Sequence, residues 1–243
     1  MKINISTDAE SLGKNAAKTA SKFINRAINK NGFARILLST GASQFETLSH
    51  LVKMDIDWQN VEMFHLDEYI SLSESHPASF RKYLKERFLS HANVKKAHLI
   101  NGESDVDKTI AELTDKIREK PIDVALIGIG ENGHIAFNDP PADFSTNAAY
   151  IKVNLDDKCK QQQVGEGWFT GIEEVPDQAI SMSVFQIMVS RVIITCVPHA
   201  VKAQAIADTL SNPQTNMIPA TILKKHKNWH LFLDNNSASG FIK

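Results

Sequence analysis

The chain has 243 residues, is 42% hydrophobic and carries a formal net charge of -1; it is long enough to bury a sizeable core as one large α/β domain and needs no second one. So balanced a charge gives no global attraction to nucleic acid or to an anionic membrane, and an anionic ligand must be held by local donors. No charged-then-apolar leader opens the chain and no apolar run approaches the length of a membrane span, which predicts a soluble, cytoplasmic protein with a small-molecule partner and neither nucleic acid nor membrane as a partner.

Asp8 to Lys30 carries Leu12, Ala16, Ala20, Phe23, Ile24, Ala27 and Ile28 at helical spacing, so an amphipathic helix is expected there, ended by Gly32. Short apolar runs follow at Arg35 to Leu38, Val61 to Leu66, His98 to Ile100, Ile122 to Ile127, Ile180 to Val184, Arg191 to Val197 and Trp229 to Leu233. Helical patterns fall between several of them, at Gln44 to Lys53, Pro77 to Leu89, Asp107 to Glu119 and Val201 to Leu210. This alternation predicts an α/β three-layer sandwich, with a mainly parallel, Rossmann-like sheet flanked by helices. No internal repeat, low-complexity tract or flexible linker interrupts it, so residues 1–243 read as a single catalytic domain. The less regular stretch Asp143 to Pro176 is expected to form a lid-like excursion over the site. Cys159 and Cys196 are too few and too separated for a zinc ribbon or a disulfide framework, and both read as free thiols.

The most informative segment is Gly128 to Pro140, GIGENGHIAFNDP, which follows a run read as a buried strand. In open parallel sheets ligands gather outside the carboxyl ends of the strands. Gly128, Gly130 and Gly133 are expected to let the chain turn and a ligand approach the backbone. His134 then emerges, with Asn132 two residues before it and Asp139 five after. A lone histidine is more often structural than catalytic, but the glycines and the carboxylate favour catalysis here.

Three further strand ends converge on the same crevice. STGASQ, Ser39 to Gln44, joins a strand to a helix, and its backbone amides, with the Ser and Thr hydroxyls, suit a phosphate. It is not a Walker loop, and Ser43 acting only as a helix cap is an equal reading. In FHLDEY, Asp67 and Glu68 follow a strand, where adjacent side chains point in opposite directions. One is then catalytic and the other structural, set against the plain alternative of a solvated acidic turn. In VPHAVKAQA, Lys202 stands in the first turn of a helix, placed to neutralise a phosphate or simply to be solvated.

Together these segments resemble the glucosamine-6-phosphate deaminase family, whose fold class also includes 6-phosphogluconolactonases and ribose-5-phosphate isomerases. The likeness runs over most of the chain. The family's TGxTP phosphate loop is similar to Thr40-Gly41-Ala42-Ser43-Gln44; its MDEY segment and following HPxSY helix to Leu66-Asp67-Glu68-Tyr69 and His76-Pro77-Ala78-Ser79-Phe80; and its GxGxDGHIAFNEP loop to Gly128–Pro140. The resemblance implies conversion of an amino-sugar 6-phosphate to a ketose 6-phosphate and ammonia, without metal or organic cofactor. It gives His134 the ring-opening proton shuttle, Asp67 the transfer of a proton from carbon 2 to carbon 1, and Asp139 and Asn132 the orientation of the imidazole. Ser39, Thr40, Gly41, Ala42, Ser43, Gly133 and Lys202 fall to substrate and phosphate binding.

The chain departs from the family pattern in three places. Asn132 stands where aspartate is common, Asp139 where glutamate is usual, and Gly165 to Phe169, GEGWF, replaces a lid stretch like SRFF whose arginine contacts the phosphate. Gln161 to Gln163 ahead of it read as a solvated helix face or as neutral donors, and Trp168 and Phe169 as ring cover or as ordinary packing. Glucosamine and galactosamine 6-phosphates rank nearly equal as substrates, and a homo-oligomer stays open. The rival activities are lactone hydrolysis by a 6-phosphogluconolactonase and non-catalytic sugar-phosphate binding.

Overall fold

The computed structural model describes residues 1–241. In chain order its strands are β1 (Lys2–Ser6), β2 (Ala34–Leu38), β3 (Val61–His65), β4 (Asp67–Tyr69), β5 (Lys96–His98), β6 (Val124–Ile127), β7 (Tyr150–Asn154), β8 (Gln178–Met182), β9 (Ile193–Val197) and β10 (Trp229–Asp234). Its α-helices are α1 (Ala9–Asn31), α2 (Phe45–Leu51), α3 (Phe80–Leu84), α4 (Val106–Arg118), α5 (Asp157–Gly165), α6 (Val184–Met188), α7 (Ala203–Ser211) and α8 (Asn235–Ala238).

Seven strands form one sheet in the order β1-β10-β9-β6-β2-β3-β5, and every pairing in it is parallel. Ile36 and Leu38 of β2 project to one face and Leu37 to the other; Val124 and Leu126 of β6 divide from Ala125 and Ile127 in the same way. Helices α1, α2 and α3 pack on the first face and α4, α6 and α7 on the second. A strand covered on both sides reads as a continuous apolar run, which is why these runs stood out in the sequence.

From β2 the chain winds outward through β3 to β5, then returns to β6 and winds the other way through β9 to β10. The carboxyl ends of β2 and β6 therefore flank the point where the winding reverses, the place where an open α/β sheet leaves a crevice. The N–H of Ser39 donates to the carbonyl of Leu126 and fixes the two strand ends side by side.

Several boundaries differ from the sequence reading. The run expected at His98–Ile100 pairs two residues earlier, as β5. The run Ile180–Val184 becomes β8, which does not join the main sheet; it pairs antiparallel with β4 on one side and β7 on the other. That second sheet uses the acidic Asp67-Glu68-Tyr69 segment and part of the 143–176 excursion, which also carries α5. It encloses a separate core of Tyr69, Phe80, Phe137, Leu155, Cys159 and Phe169. Both cysteines are free and buried.

Local chemistry sets the helix limits. The carboxylate of Asp8 accepts from the Ser11 N–H at 2.8 Å, and Gly32 closes α1 at φ 78°; the cap contributes about 1 kcal/mol. The expected helix from Pro77 starts only at Phe80, because Ser79 caps it and accepts from the Lys82 N–H, and it runs on as a π-turn over Lys85–Leu89. Arg35, fully buried in β2, pairs with Glu62 of β3 at 2.7 Å and donates to the carbonyls of Lys116, Ile117 and Lys120. A cation there meets the negative end of α4 and ties that helix to the sheet.

Helix α1 also seats the helix that follows the Ser39–Gln44 loop. A Cβ on Gly13 would lie 2.5 Å from Glu46 Cβ and 2.6 Å from its carbonyl carbon. Gly13→Ala should therefore lower stability by roughly 1–3 kcal/mol in urea unfolding despite the better helix propensity of alanine. An unchanged or raised midpoint would show that α1 and α2 can separate freely.

Candidate active site

The loop after β2 is held open at its end. Gly41, at φ 91°, turns the chain into a 3-10 turn over Ala42–Gln44, which the Gln44 N–H closes on the Gly41 carbonyl. The amides ahead of that bond are the ones a helix start leaves unpaired. Ser43 makes no capping bond; its hydroxyl accepts from the Gln44 side chain, which itself reaches the Cys196 carbonyl of β9. Among the described residues the Ser39 hydroxyl is buried without a partner, an uncommon condition that a ligand would relieve. Ser39, Thr40, Gly41, Ala42 and Ser43 all line one cleft.

The loop after β6 forms the opposite wall. Gly128 and Gly130 keep ordinary backbone angles and serve by close approach: a Cβ on Gly128 would stand 3.2 Å from Ser43 Oγ, and one on Gly130 would fall 2.1–2.3 Å from the His134 ring. Gly133 does have a positive φ, 82°, but it lies away from the cleft, against Ile218, and its carbonyl accepts from Ala220. Its expected part in substrate binding is not supported by this placement.

The imidazole of His134 lines the cleft, and its Nδ1 lies 2.7 Å from Asn132 Oδ1 and 3.1 Å from Asp139 Oδ1. Two acceptors on Nδ1 assign the proton to that nitrogen, and Nε2 has no protein partner among the described residues. The Asn132 amide also donates to Asp139 at 3.0 Å, and the His134 N–H donates back to Asn132 Oδ1. Aspartate is thus long enough at position 139. Neither Asn132 nor Asp139 lines the cleft; both stand behind the ring. Burial pushes the Asp139 carboxyl up, but its bonds and charge interaction with His134 and the Asn132 amide outweigh this and hold it below the usual range.

Asp67 and Glu68 diverge as β-strand geometry requires, and neither is a solvated turn. Glu68 is fully buried and accepts from the N–H groups of Tyr69, Phe80 and Arg81, from the Ser79 hydroxyl at 3.1 Å and from Arg81 Nε at 3.3 Å. It anchors α3 under the strand. Asp67 faces the cleft opposite the His134 loop and receives no such bonds among the described residues. Burial, reinforced by the charge of Glu68, pushes its carboxyl up to about 8. A carboxyl in that range both takes up and releases protons near neutrality.

Lys202 closes the fourth side. It follows β9 in a 3-10 turn leading into α7, and its buried ammonium lies 3.5 Å from Glu166 and 3.7 Å from Glu131. The turn opens at His199, held at φ 78° with its N–H donating to Asp234.

The excursion supplies Glu166, which sequence reasoning did not single out, and glutamines it read as a solvated face or as neutral donors. Gln162, Gln163 and Glu166 line the cleft, and Gln163 is buried with its carbonyl accepting from the Tyr69 hydroxyl at 2.7 Å. Gln161 is exposed, but Gln162 and Gln163 turn toward the cleft rather than to solvent. Trp168 and Phe169 do not line the cleft; Trp168 packs edge-on against Phe45 and Tyr83, and Phe169 packs edge-on against Tyr69 and stacks on His76. Phe80 and Phe137 supply the apolar wall. Among the described residues the one cluster with metal-ligand spacing is Glu10, Glu46 and His50, and none of these lines the cleft.

Residues 7–232 match the family model of glucosamine-6-phosphate isomerases/6-phosphogluconolactonase. A glucosamine-6-phosphate deaminase of Thermoanaerobacter sp. (strain X514) is 32% identical, over 98% of this chain and 94% of that one. The solved structure of a monomeric glucosamine-6-phosphate deaminase superposes with a TM-score of 0.89 at 26% identity, covering 99% of this chain and 100% of the other. A 6-phosphogluconolactonase from Thermotoga maritima shares the fold alone, with a TM-score of 0.80 at 13% identity over 96% of this chain and 99% of that one. The chain belongs to the glucosamine-6-phosphate isomerase/6-phosphogluconolactonase family.

Proposed function

We propose that this chain is an amino-sugar-phosphate deaminase that converts glucosamine 6-phosphate to fructose 6-phosphate and ammonia. The observation that carries the reading is a carboxyl raised to about 8, Asp67, facing the same cleft as an imidazole whose Nδ1 is held by Asn132 and Asp139. Lactone hydrolysis needs only one base beside the phosphate site. Two proton-handling groups on one cleft suit a sequence of ring opening followed by isomerisation. The relatives named above for glucosamine 6-phosphate favour that isomer over galactosamine 6-phosphate.

In this reading the phosphate sits on Ser39–Ser43, where the unpartnered Ser39 hydroxyl, the loop amides and Lys202 meet it. His134 Nε2 accepts the proton of the anomeric hydroxyl and returns it to the ring oxygen, giving the open aldehyde. Asp139 and the Asn132 amide fix the ring and stabilise its charged form while it carries that proton. Asp67 as carboxylate then takes the proton from carbon 2, leaving an enolamine, and delivers it to carbon 1. The resulting imine adds water and loses ammonia. Phe80 and Phe137 keep the cleft apolar around Asp67, which sustains its raised affinity for protons. The 143–176 excursion serves as the lid of a single catalytic domain, carrying Gln162, Gln163 and Glu166 to the cleft.

Three outcomes are expected. Asp67→Asn removes the base and should lower kcat for ammonia release by at least about a hundredfold, while the affinity for a sugar phosphate changes little; near-normal turnover removes Asp67 from proton transfer. In the parent, kcat/KM should rise about tenfold per pH unit and level near pH 8, because the base form exists only above the folded pKa. A profile flat from pH 6 to 9 contradicts this. The fold itself should lose stability as pH rises from about 4, the ordinary value of an aspartate, to about 8, since the unfolded chain releases this proton earlier. Asp67→Asn therefore melts higher than the parent at pH 8 and alike at pH 4; equal melting at both pH values would mean the carboxyl is not raised.

A further inference from the structure

The mechanism leaves Glu166 unused, yet its carboxylate is as firmly built into the cleft as any group in it. Oε1 accepts from the Gln162 side chain at 2.8 Å and faces Lys202 Nζ at 3.5 Å, and Oε2 accepts from Trp168 Nε1 at 3.2 Å. Gln162 also takes the Glu131 N–H at 3.2 Å, so one side chain couples the excursion to the His134 loop. Trp168 in turn packs on Phe45 and Tyr83, and the Tyr83 hydroxyl donates to the carbonyl of Gly41 in the loop after β2. The carboxylate is thus aimed at Lys202 from a frame tied to the very loop that would hold a phosphate.

The charges do not suit a second anion. One ammonium already faces two carboxylates, and a phosphate dianion arriving at Ser39–Ser43 would bring like charges together inside the cleft. Glu131 is exposed and lies outside the cleft lining, whereas Glu166 lines it, so Glu166 is the group in the way. It stands between Gly165 and Gly167. A Cβ on either glycine would meet nothing within 4 Å, and Gly167 sits at φ 80°. Neither glycine is there to allow close packing; together they leave the backbone around Glu166 free to turn.

We propose that Glu166 sets the cleft's affinity for phosphate, as an internal anion that occupies Lys202 until a dianionic substrate group displaces it. The inference rests on the reading of this cleft as a sugar-phosphate site. Arrival of the phosphate exchanges one ion pair for a stronger one at Lys202. The affinity measured for substrate is then the affinity for phosphate reduced by the strength of the Glu166–Lys202 pair.

The test is titration of the full chain with inorganic phosphate at pH 8, together with KM for glucosamine 6-phosphate. Glu166→Gln removes the charge and keeps an acceptor oxygen for one of the two donors, Gln162 Nε2 or Trp168 Nε1; phosphate should bind about three- to tenfold tighter and KM fall by a similar factor. Glu166→Ala should move both in the same direction. If phosphate binds either variant no more tightly than the parent, Glu166 does not compete for Lys202 and the proposal fails. Lys202→Met separates this from failure of the site itself. Phosphate binding weakened by Lys202→Met but unmoved by Glu166→Gln overturns the role of Glu166 alone, and binding unmoved by Lys202→Met overturns both.

Discussion

The reversal of winding between β2 and β6 is the constraint on which the rest of the molecule depends. Parallel strands require crossovers, and crossovers running in opposite directions from two neighbouring strands cannot close the space between their carboxyl ends. The loops that leave those ends, Ser39–Gln44 and Gly128–His134, must therefore face each other across a gap. The Ser39–Leu126 hydrogen bond and the close approach of Gly128 to Ser43 set how wide it is. Everything chemical in the protein is arranged around that opening.

The small antiparallel sheet answers a second requirement. A carboxylate that handles protons near neutrality must be kept from water and from strong donors, and Asp67 meets both conditions because the adjacent Glu68 takes the donors. Glu68 gathers the start of α3 and Arg81 on the far side of β4, and β8 pairs with β4 to hold the segment in place. Two consecutive acids thus have opposite environments, one held in hydrogen bonds and the other left free to titrate. Stability is given up at Asp67 to obtain this, as is common where a site is pre-organised.

The central architecture was legible because both faces of the sheet are covered, so its inner strands appear as unbroken apolar runs bounded by glycine and polar turns. The His134 loop was legible for a related reason: Gly130 and Asn132 are dictated by the imidazole that packs on one and bonds the other. Less could be read where partners are distant in the chain. Strand β1 is an edge with Ile3 and Ile5 exposed, β4 has only three residues, and β7 alternates apolar with polar residues and pairs through β8 alone. The same holds for Gln163 and Glu166, whose roles depend on Tyr69 and Lys202, 94 and 36 positions away. At Gly133, a glycine between Asn132 and His134 that invited a ligand contact, the structure places a turn against Ile218 outside the cleft lining.

The measurement that bears most directly on the account is product analysis with purified protein, offered glucosamine 6-phosphate and 6-phosphogluconolactone in parallel. The arrangement of Asp67 opposite His134 predicts equimolar ammonia and fructose 6-phosphate from the first and no catalysed hydrolysis of the second. Lactone hydrolysis without ammonia release would contradict it, and would assign His134 as the sole base and Asp67 to structure.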